Sequence, residues 1–263
     1  MYPELLKIEN VPIIGTLAIH SFGVMFMLSF LIPIHFIRKD FIRRNIDPEL
    51  ASNIGIAAII GGIVGARLYF IFEHWSQFIS DPLAMLFSGA GLVWYGGVIG
   101  GVIGATIVVK RSPYSFVFLA DTVMPLLLFG HGIGRIGCLL AADGDYGPPT
   151  DVPWAMSFPN GYVPTNELVH PTPLYDTLLA FLFFGLIWAN RKRQLPQGTL
   201  MSLAIIAMGV ERFITEFFRT TPIVAFGWMT LAQLISIVLI AVGGWYLLHV
   251  RKQANLAAPV KNG

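Results

Sequence analysis

The chain has 263 residues, 55% of them apolar and only 12% charged, with a net charge of +2 and a mean hydropathy of +0.69. Those values exclude a soluble domain, point to a polytopic membrane protein, and offer no argument for nucleic acid. A single cysteine, Cys138, excludes an internal disulfide framework and a multi-thiolate metal site, and the six histidines show no ligand spacing, so no metal and no cofactor are expected.

In chain order, the first sixteen residues lack a basic n-region and no small-x-small cleavage site follows, so no signal peptide is expected. Seven stretches are then long enough to cross about 30 Å of hydrocarbon. They are residues 17–37, 50–72, 91–109, 115–135, 173–189, 199–217 and 226–249. The predicted fold is an all-α polytopic membrane protein, one transmembrane domain over 1–263. Residues 77–90 form an outer segment with a short interfacial helix, and 138–172 is the one long loop, rich in Gly, Pro and Asp. The tail from Gln253 on is polar and expected to fray.

Basic residues set the orientation. Arg38, Lys39, Arg43 and Arg44 follow the first span, Lys110 and Arg111 the third, Arg191, Lys192 and Arg193 the fifth, and Arg251, Lys252 and Lys261 the seventh. Twelve of the 17 Lys and Arg therefore fall in alternate connections. These are read as cytoplasmic, with the N-terminus outside and the C-terminus inside.

Topology does not explain Arg67, Arg135, Arg212 and Arg219, which lie in or at the ends of apolar runs. An arginine at the centre of a spanning helix costs about 2.5–3.5 kcal/mol even on the lenient insertion scale. At 1.5 Å per residue, Arg67 is about 25 Å, Arg135 about 30 Å and Arg212 about 20 Å from the cytoplasmic start of its span. Tyr95 is about 6 Å from the outer end of the third span, so these groups share one level. Snorkelling to the interface is the plain alternative, and it suits Arg219 well and Arg212 poorly.

GVERFITEFFRT places Arg212, Glu216 and Arg219 at i, i+4 and i+7 of one helical face. It is either a structural ion-pair ladder or two cations around one carboxylate, with a positive charge left over for a phosphate. Glu211 points elsewhere and is placed to pair with another arginine. GHGIGRIG contains G-x-G-x-x-G at Gly132, Gly134 and Gly137, but no βαβ unit surrounds it. It reads as a glycine-thinned helix end where Arg135 approaches a ligand. In WYGGVIGGVIG the glycines have small-xxx-small spacing, which favours helix packing. Tyr95 beside them is a belt residue or a donor at the site. HPTPLYD starts the fifth span with His170 at the level of the arginines, as a loop histidine or a site residue.

These residues carry a resemblance that runs through nearly the whole chain. HSFG, GARLYF, DP followed by GLVWYGGVIGG, Asp121, GRIG, HPTPLYD and ERFITEFFR resemble, in order and spacing, the bacterial phosphatidylglycerol–prolipoprotein diacylglyceryl transferase family. The resemblance implies seven spans in the multi-pass inner membrane and two partners, phosphatidylglycerol and a preprolipoprotein with a lipobox cysteine; no nucleic acid and a monomer are expected. The implied reaction moves a diacylglyceryl group to the cysteine thiol and releases glycerol phosphate. It implies catalytic roles for Tyr95, Arg135 and Arg212, with Arg135 and Arg212 holding the lipid phosphate, and substrate contacts from Arg67, Glu216, Arg219 and His170.

The chain departs from the family pattern at several positions. Tyr95 replaces the histidine usually assigned as base, Cys138 replaces a common asparagine, and AADGDYG replaces an asparagine-and-glutamate pattern for which Asp143 or Asp145 would substitute. Phe22 and Met208 replace tyrosines. Three rivals stay open: a paralogue with another acceptor, a non-catalytic lipid-binding protein, and an anion transporter. No inverted repeat is visible, which weakens the transporter.

Overall fold

The computed structural model describes residues 2–11, 15–87 and 93–257. Residues 88–92, assigned from sequence to the outer segment and the start of the third span, lie outside the described residues, as do 258–263. The chain divides into two compact units, one of residues 1–33 and 120–263, the other of residues 34–119.

Among the described residues, four helices are long and apolar enough to cross a membrane: α1 (Ser21–Arg43), α2 (Glu49–Glu73), α6 (Phe116–Ala141) and α9 (Leu231–Ala257). Three more, α5 (Trp94–Lys110), α7 (Thr172–Trp188) and α8 (Thr199–Thr215), have 17 residues each. Two short helices, α3 (Trp75–Ser80) and α4 (Pro82–Phe87), stand where one was expected.

The fold is mostly helical but not wholly so. A hairpin of β1 (Glu4–Val11) and β2 (Gly15–His20) precedes α1, which therefore starts at Ser21 rather than at 17. The Ser21 N–H and hydroxyl both donate to the Pro3 carbonyl, so the hairpin ends where the helix begins. A second hairpin, β3 (Met156–Phe158) with β4 (Thr165–Val169), lies in the long loop. A third, β5 (Ile223–Ala225) with β6 (Met229–Thr230), delays α9 to Leu231. Its tip holds Phe226 and Gly227 at φ values of 52° and 72°, in the left-handed region that interrupts helix. The tail also differs from expectation, because α9 continues to Ala257.

The larger unit packs α6, α7 and α8 around Leu128, Ala180, Ile187, Leu200, Ala204 and Ala207. Asp121 of α6, only 7% exposed, accepts the Gly198 N–H at 2.6 Å and the Met201 N–H at 2.9 Å. An anion therefore satisfies the orphan donors at the start of α8, a favourable position for negative charge. Gly198 has a φ of 94°, which suits glycine before that turn.

The smaller unit rests on α2 against α5. The spacing that suggested packing in α5 meets a matching run of small residues in α2. A Cβ on Gly100 would stand 2.1 Å from the Gly61 carbonyl oxygen, and one on Gly104 2.2 Å from that of Ala57. A Cβ on Gly65 would stand 2.3 Å from the Gly96 carbonyl oxygen. These backbones touch because nothing intervenes.

This contact predicts the sign of one substitution. In an isolated helix Gly→Ala is favourable by about 1 kcal/mol. Gly100→Ala instead forces a methyl into backbone, and overpacking of that kind costs about 1–3 kcal/mol. Thermal unfolding in detergent should show a lower Tm for Gly100→Ala; an equal or higher Tm would contradict the close contact.

Candidate active site

Four of the arginines and carboxylates expected at the site converge in the larger unit. Arg135 comes from α6, Arg212 from α8, Glu216 from the one-turn 3₁₀ segment Glu216–Phe218, and Arg219 from the extended residue after it. Two further carboxylates join them, Asp145 from the long loop and Asp176 from the first turns of α7.

Arg135 donates from Nη1 to Asp145 Oδ2 at 2.5 Å, and its Nη2 lies 2.6 Å from Asp176 Oδ2. Arg219 donates from Nη2 to Asp145 Oδ1 at 2.5 Å and from Nη1 to Asp176 Oδ2 at 3.4 Å. Asp145 thus bridges two guanidiniums, one on each oxygen. Arg212 Nη2 lies 2.8 Å from Glu216 Oε2, and the Thr221 hydroxyl donates to Glu216 Oε1. Arg219 Nε stands 4.0 Å from that same Glu216 Oε2.

Four expectations need correction. The leftover positive charge disappears, because three arginines face three carboxylates here. The i, i+4, i+7 ladder is not one helical face, since α8 ends at Thr215 and Arg219 is extended; Arg219 turns chiefly toward Asp145 and Asp176. GHGIGRIG is not a helix end either. α6 runs six residues past Arg135 to Ala141, and Ala142, at a φ of 49°, ends it. Glu211, expected against an arginine, meets His131 Nε2 at 3.4 Å.

Burial differs among the three arginines. The side chains of Arg135 and Arg219 are 13% and 9% exposed, whereas that of Arg212 is 34% exposed over a fully buried Glu216. Arg135 Nε is buried without a hydrogen-bond partner, and the Arg135 Nη2–Asp176 approach is an ion pair without hydrogen-bond alignment. Arg135 therefore keeps one donor uncommitted inside the cluster.

The long loop is tied to this cluster through its own backbone. The Thr172 hydroxyl donates to the Asp145 carbonyl, and the Gly147 N–H donates to the His170 carbonyl at 2.8 Å. A Cβ on Gly147 would stand 1.9 Å from the Phe218 carbonyl oxygen. His170 joins an aromatic group rather than the ion cluster. Its Nδ1 is 3.1 Å from the Tyr175 hydroxyl, and its ring centroid is 5.2 Å from that of Phe218.

Arg67 and Tyr95 belong to the smaller unit. Arg67 is half-buried on α2, and Tyr95, half exposed, stands in the first turn of α5. Cys138, Asp143 and Asp145 hold possible ligand atoms within 4.8 Å of one another. Both Asp145 oxygens already serve guanidiniums, a donor set that does not suit a metal cation.

Sequence spacing alone does not mark Asp145 and Asp176 as partners of the arginines. The signal available was the arginines themselves, because a buried guanidinium requires carboxylate partners. Which carboxylates arrive depends on the fold of a loop.

Burial alone would push the Asp145 carboxyl upward, but the charges of Arg135 and Arg219 outweigh it and hold the group below its ordinary 3.8. A depressed carboxyl contributes stability above its unfolded value, and that stability is lost as pH falls through the folded value. Asp145→Asn should lower Tm at pH 7 in detergent. Its deficit relative to wild type should shrink as pH drops below 3.8. A deficit that stays constant with pH would mean that packing, not charge, is what Asp145 supplies.

Comparison with known proteins shows the family of the chain. Residues 10–249 match the family described as prolipoprotein diacylglyceryl transferase. The chain is 34% identical over 229 residues to the phosphatidylglycerol–prolipoprotein diacylglyceryl transferase of Clostridium tetani, covering 86% of this chain and 91% of that one. It is 33% identical over 246 residues to the Coxiella burnetii (strain Dugway) protein of that name, covering 89% and 92%. Identity to phosphatidylglycerol–prolipoprotein diacylglyceryl transferase 2 of Clostridium perfringens is 32% over 240 residues, covering 90% and 92%. The chain belongs to the prolipoprotein diacylglyceryl transferase family.

Proposed function

We propose that this chain transfers the diacylglyceryl group from phosphatidylglycerol to the cysteine thiol of a prolipoprotein, the first step of lipoprotein maturation, and releases glycerol phosphate. The observation that carries the reading is Arg212, a guanidinium one-third exposed and held from behind by a fully buried carboxylate. Such a group is fixed in direction yet open to an incoming anion. A guanidinium fork matches phosphate oxygens bidentately. Arg135, in the same cluster, is assigned to the same phosphate on its sequence position.

The chemistry asks little of the nucleophile and more of the leaving group. A cysteine thiol is already a few per cent thiolate at neutral pH. Charge then collects on the departing phosphate, and fixed donors in a water-poor site stabilise it without reorganising. Glu216 holds Arg212 in place, and Asp145 and Asp176 hold Arg135 and Arg219. Arg67, Tyr95 and His170 are assigned to lipid binding on sequence position, with Tyr95 donating a hydrogen bond. The acceptor is the lipobox cysteine of a preprolipoprotein. The setting is the bacterial inner membrane, crossed seven times by a single monomeric domain with its N-terminus outside.

The test is purified protein in vesicles of phosphatidylglycerol labelled in the diacylglyceryl group, with a lipobox peptide and its Cys→Ser control. Label should pass to the cysteine peptide only. Lipid retained without transfer would make the chain a lipid-binding protein instead. Arg212→Lys should cut turnover by about 100–1000-fold, the range for losing a preorganised donor. Near-normal transfer by that variant, properly folded, would discard the clamp.

Glu216 lies between two cations, an arrangement that suits a holding role. Glu216→Gln should keep part of the activity and leave the acidic limb of the pH–rate profile in place. Disappearance of a titration near neutral pH in that variant would make Glu216 the base.

A further inference from the structure

We infer that His131, oriented by Glu211, is the proton acceptor for the incoming thiol, an inference that rests on the transfer reaction proposed above. Tyr95 stands where the family pattern has histidine, so a base must be sought elsewhere in the chain. His131 precedes Arg135 by one helical turn, and His131, Gly134, Arg135 and Cys138 fall at i, i+3, i+4 and i+7, on one face of α6. The His131 side chain is 39% exposed, while its partner Glu211 is 4% exposed. Between His131 and Arg135 the helix surface is bare, since a Cβ on Gly134 would meet nothing within 4 Å. A base, an open space and a phosphate-binding cation thus follow one another along a single helix face.

Glu211 also settles which ring nitrogen is available. Its Oε1 lies 3.4 Å from His131 Nε2, a long hydrogen bond. With the Nε2 proton directed at that carboxyl, Nδ1 carries the lone pair. The other groups facing His131 are few. Arg135 lies on its own helix, and from α7 Asp176 reaches it only through Glu211, whose carboxyl it meets. The α1 segment of residues 21–33, which packs on Gly130 and Gly137, has no titratable side chain.

In the step, Nδ1 takes the proton of the acceptor thiol. The sulfur lone pair forms a C–S bond to the glycerol carbon that bears the phosphate. The C–O bond to phosphate breaks, and its electron pair stays on the phosphate oxygen, held by Arg212 and Arg135. The imidazolium then returns its proton to the departing glycerol phosphate or to water, which restores His131. Glu211 acts through His131 and is a positioning residue.

The experiment measures transfer from labelled phosphatidylglycerol vesicles to the lipobox peptide between pH 6 and pH 9, for wild type, His131→Gln and Glu211→Gln. His131→Gln should be about 100-fold slower at pH 7, the lower range for losing a general base. It should recover toward pH 9, as the thiol ionises by itself, with an unchanged KM for lipid. Glu211→Gln should keep the orientation through its amide oxygen but move the acidic midpoint of the profile, because an ionisable carboxyl beside the ring is exchanged for a neutral amide. His131→Gln within threefold of wild type at every pH overturns the inference, and so does a loss that is the same at every pH. If His131→Gln does not fold, Glu211→Gln decides, an unmoved midpoint counting against it. Wild type that transfers nothing overturns the parent reading along with this one, whereas active wild type with an unimpaired His131→Gln overturns this one alone.

Discussion

Three guanidiniums brought out of water have to find three carboxylates, and much of the larger unit is arranged to supply them. Arg135, Arg212 and Arg219 meet Asp145, Asp176 and Glu216 across a long helix, a loop, a helix start and a one-turn 3₁₀ segment. Removing one member of such a buried set leaves an uncompensated charge, at a cost of about 3–5 kcal/mol. The network therefore couples elements far apart in sequence, since Asp145 and Arg219 are 74 residues apart. It also grades the arginines. Two are enclosed and hold the assembly, and the third presents its guanidinium outward.

The long loop is structural as well as functional. It carries Asp145 to both enclosed arginines, and its backbone is pinned by Thr172 and by the close approach of Gly147 to Phe218. Phe158 and Tyr146, stacked at 5.2 Å, give it a small apolar core of its own with Ala142 and Val169. A loop rich in glycine, proline and aspartate is thereby held as a fixed part of the site. Gly144 and Gly147 serve different needs there: Gly144 adopts a φ of 95°, and Gly147 admits a neighbouring carbonyl.

Charge placement and helix packing solve separate problems in the two units. In the smaller unit, α2 and α5 approach until backbone meets backbone, a contact available only because Gly61, Gly65, Gly96, Gly100 and Gly104 lack side chains. In the larger unit, Asp121 on α6 caps the start of α8, so the helix that bears Glu211 and Arg212 has its first turn anchored by a buried anion. Register along α8 then fixes where both groups emerge.

Sequence by itself determined the apolar segments, their approximate limits, the small-residue packing of α5 and the residues at which the family motifs stand. These are local properties, set by hydropathy, by spacing and by the 3.6-residue period. The convergence of Arg135, Arg212, Glu216 and Arg219 was also legible, because each arginine sits at an unfavourable place in an apolar run. Only tertiary structure decided the partners. Asp145 and Asp176 reach the arginines through the path of a loop and the start of α7, Glu211 turns to His131, and the surplus charge suggested by one helix vanishes once three elements are counted. The three hairpins and the extra turns of α6 belong with these. The ion pairs depend on contacts between residues distant in sequence, and neither periodicity nor composition reports which distant groups a folded chain brings together.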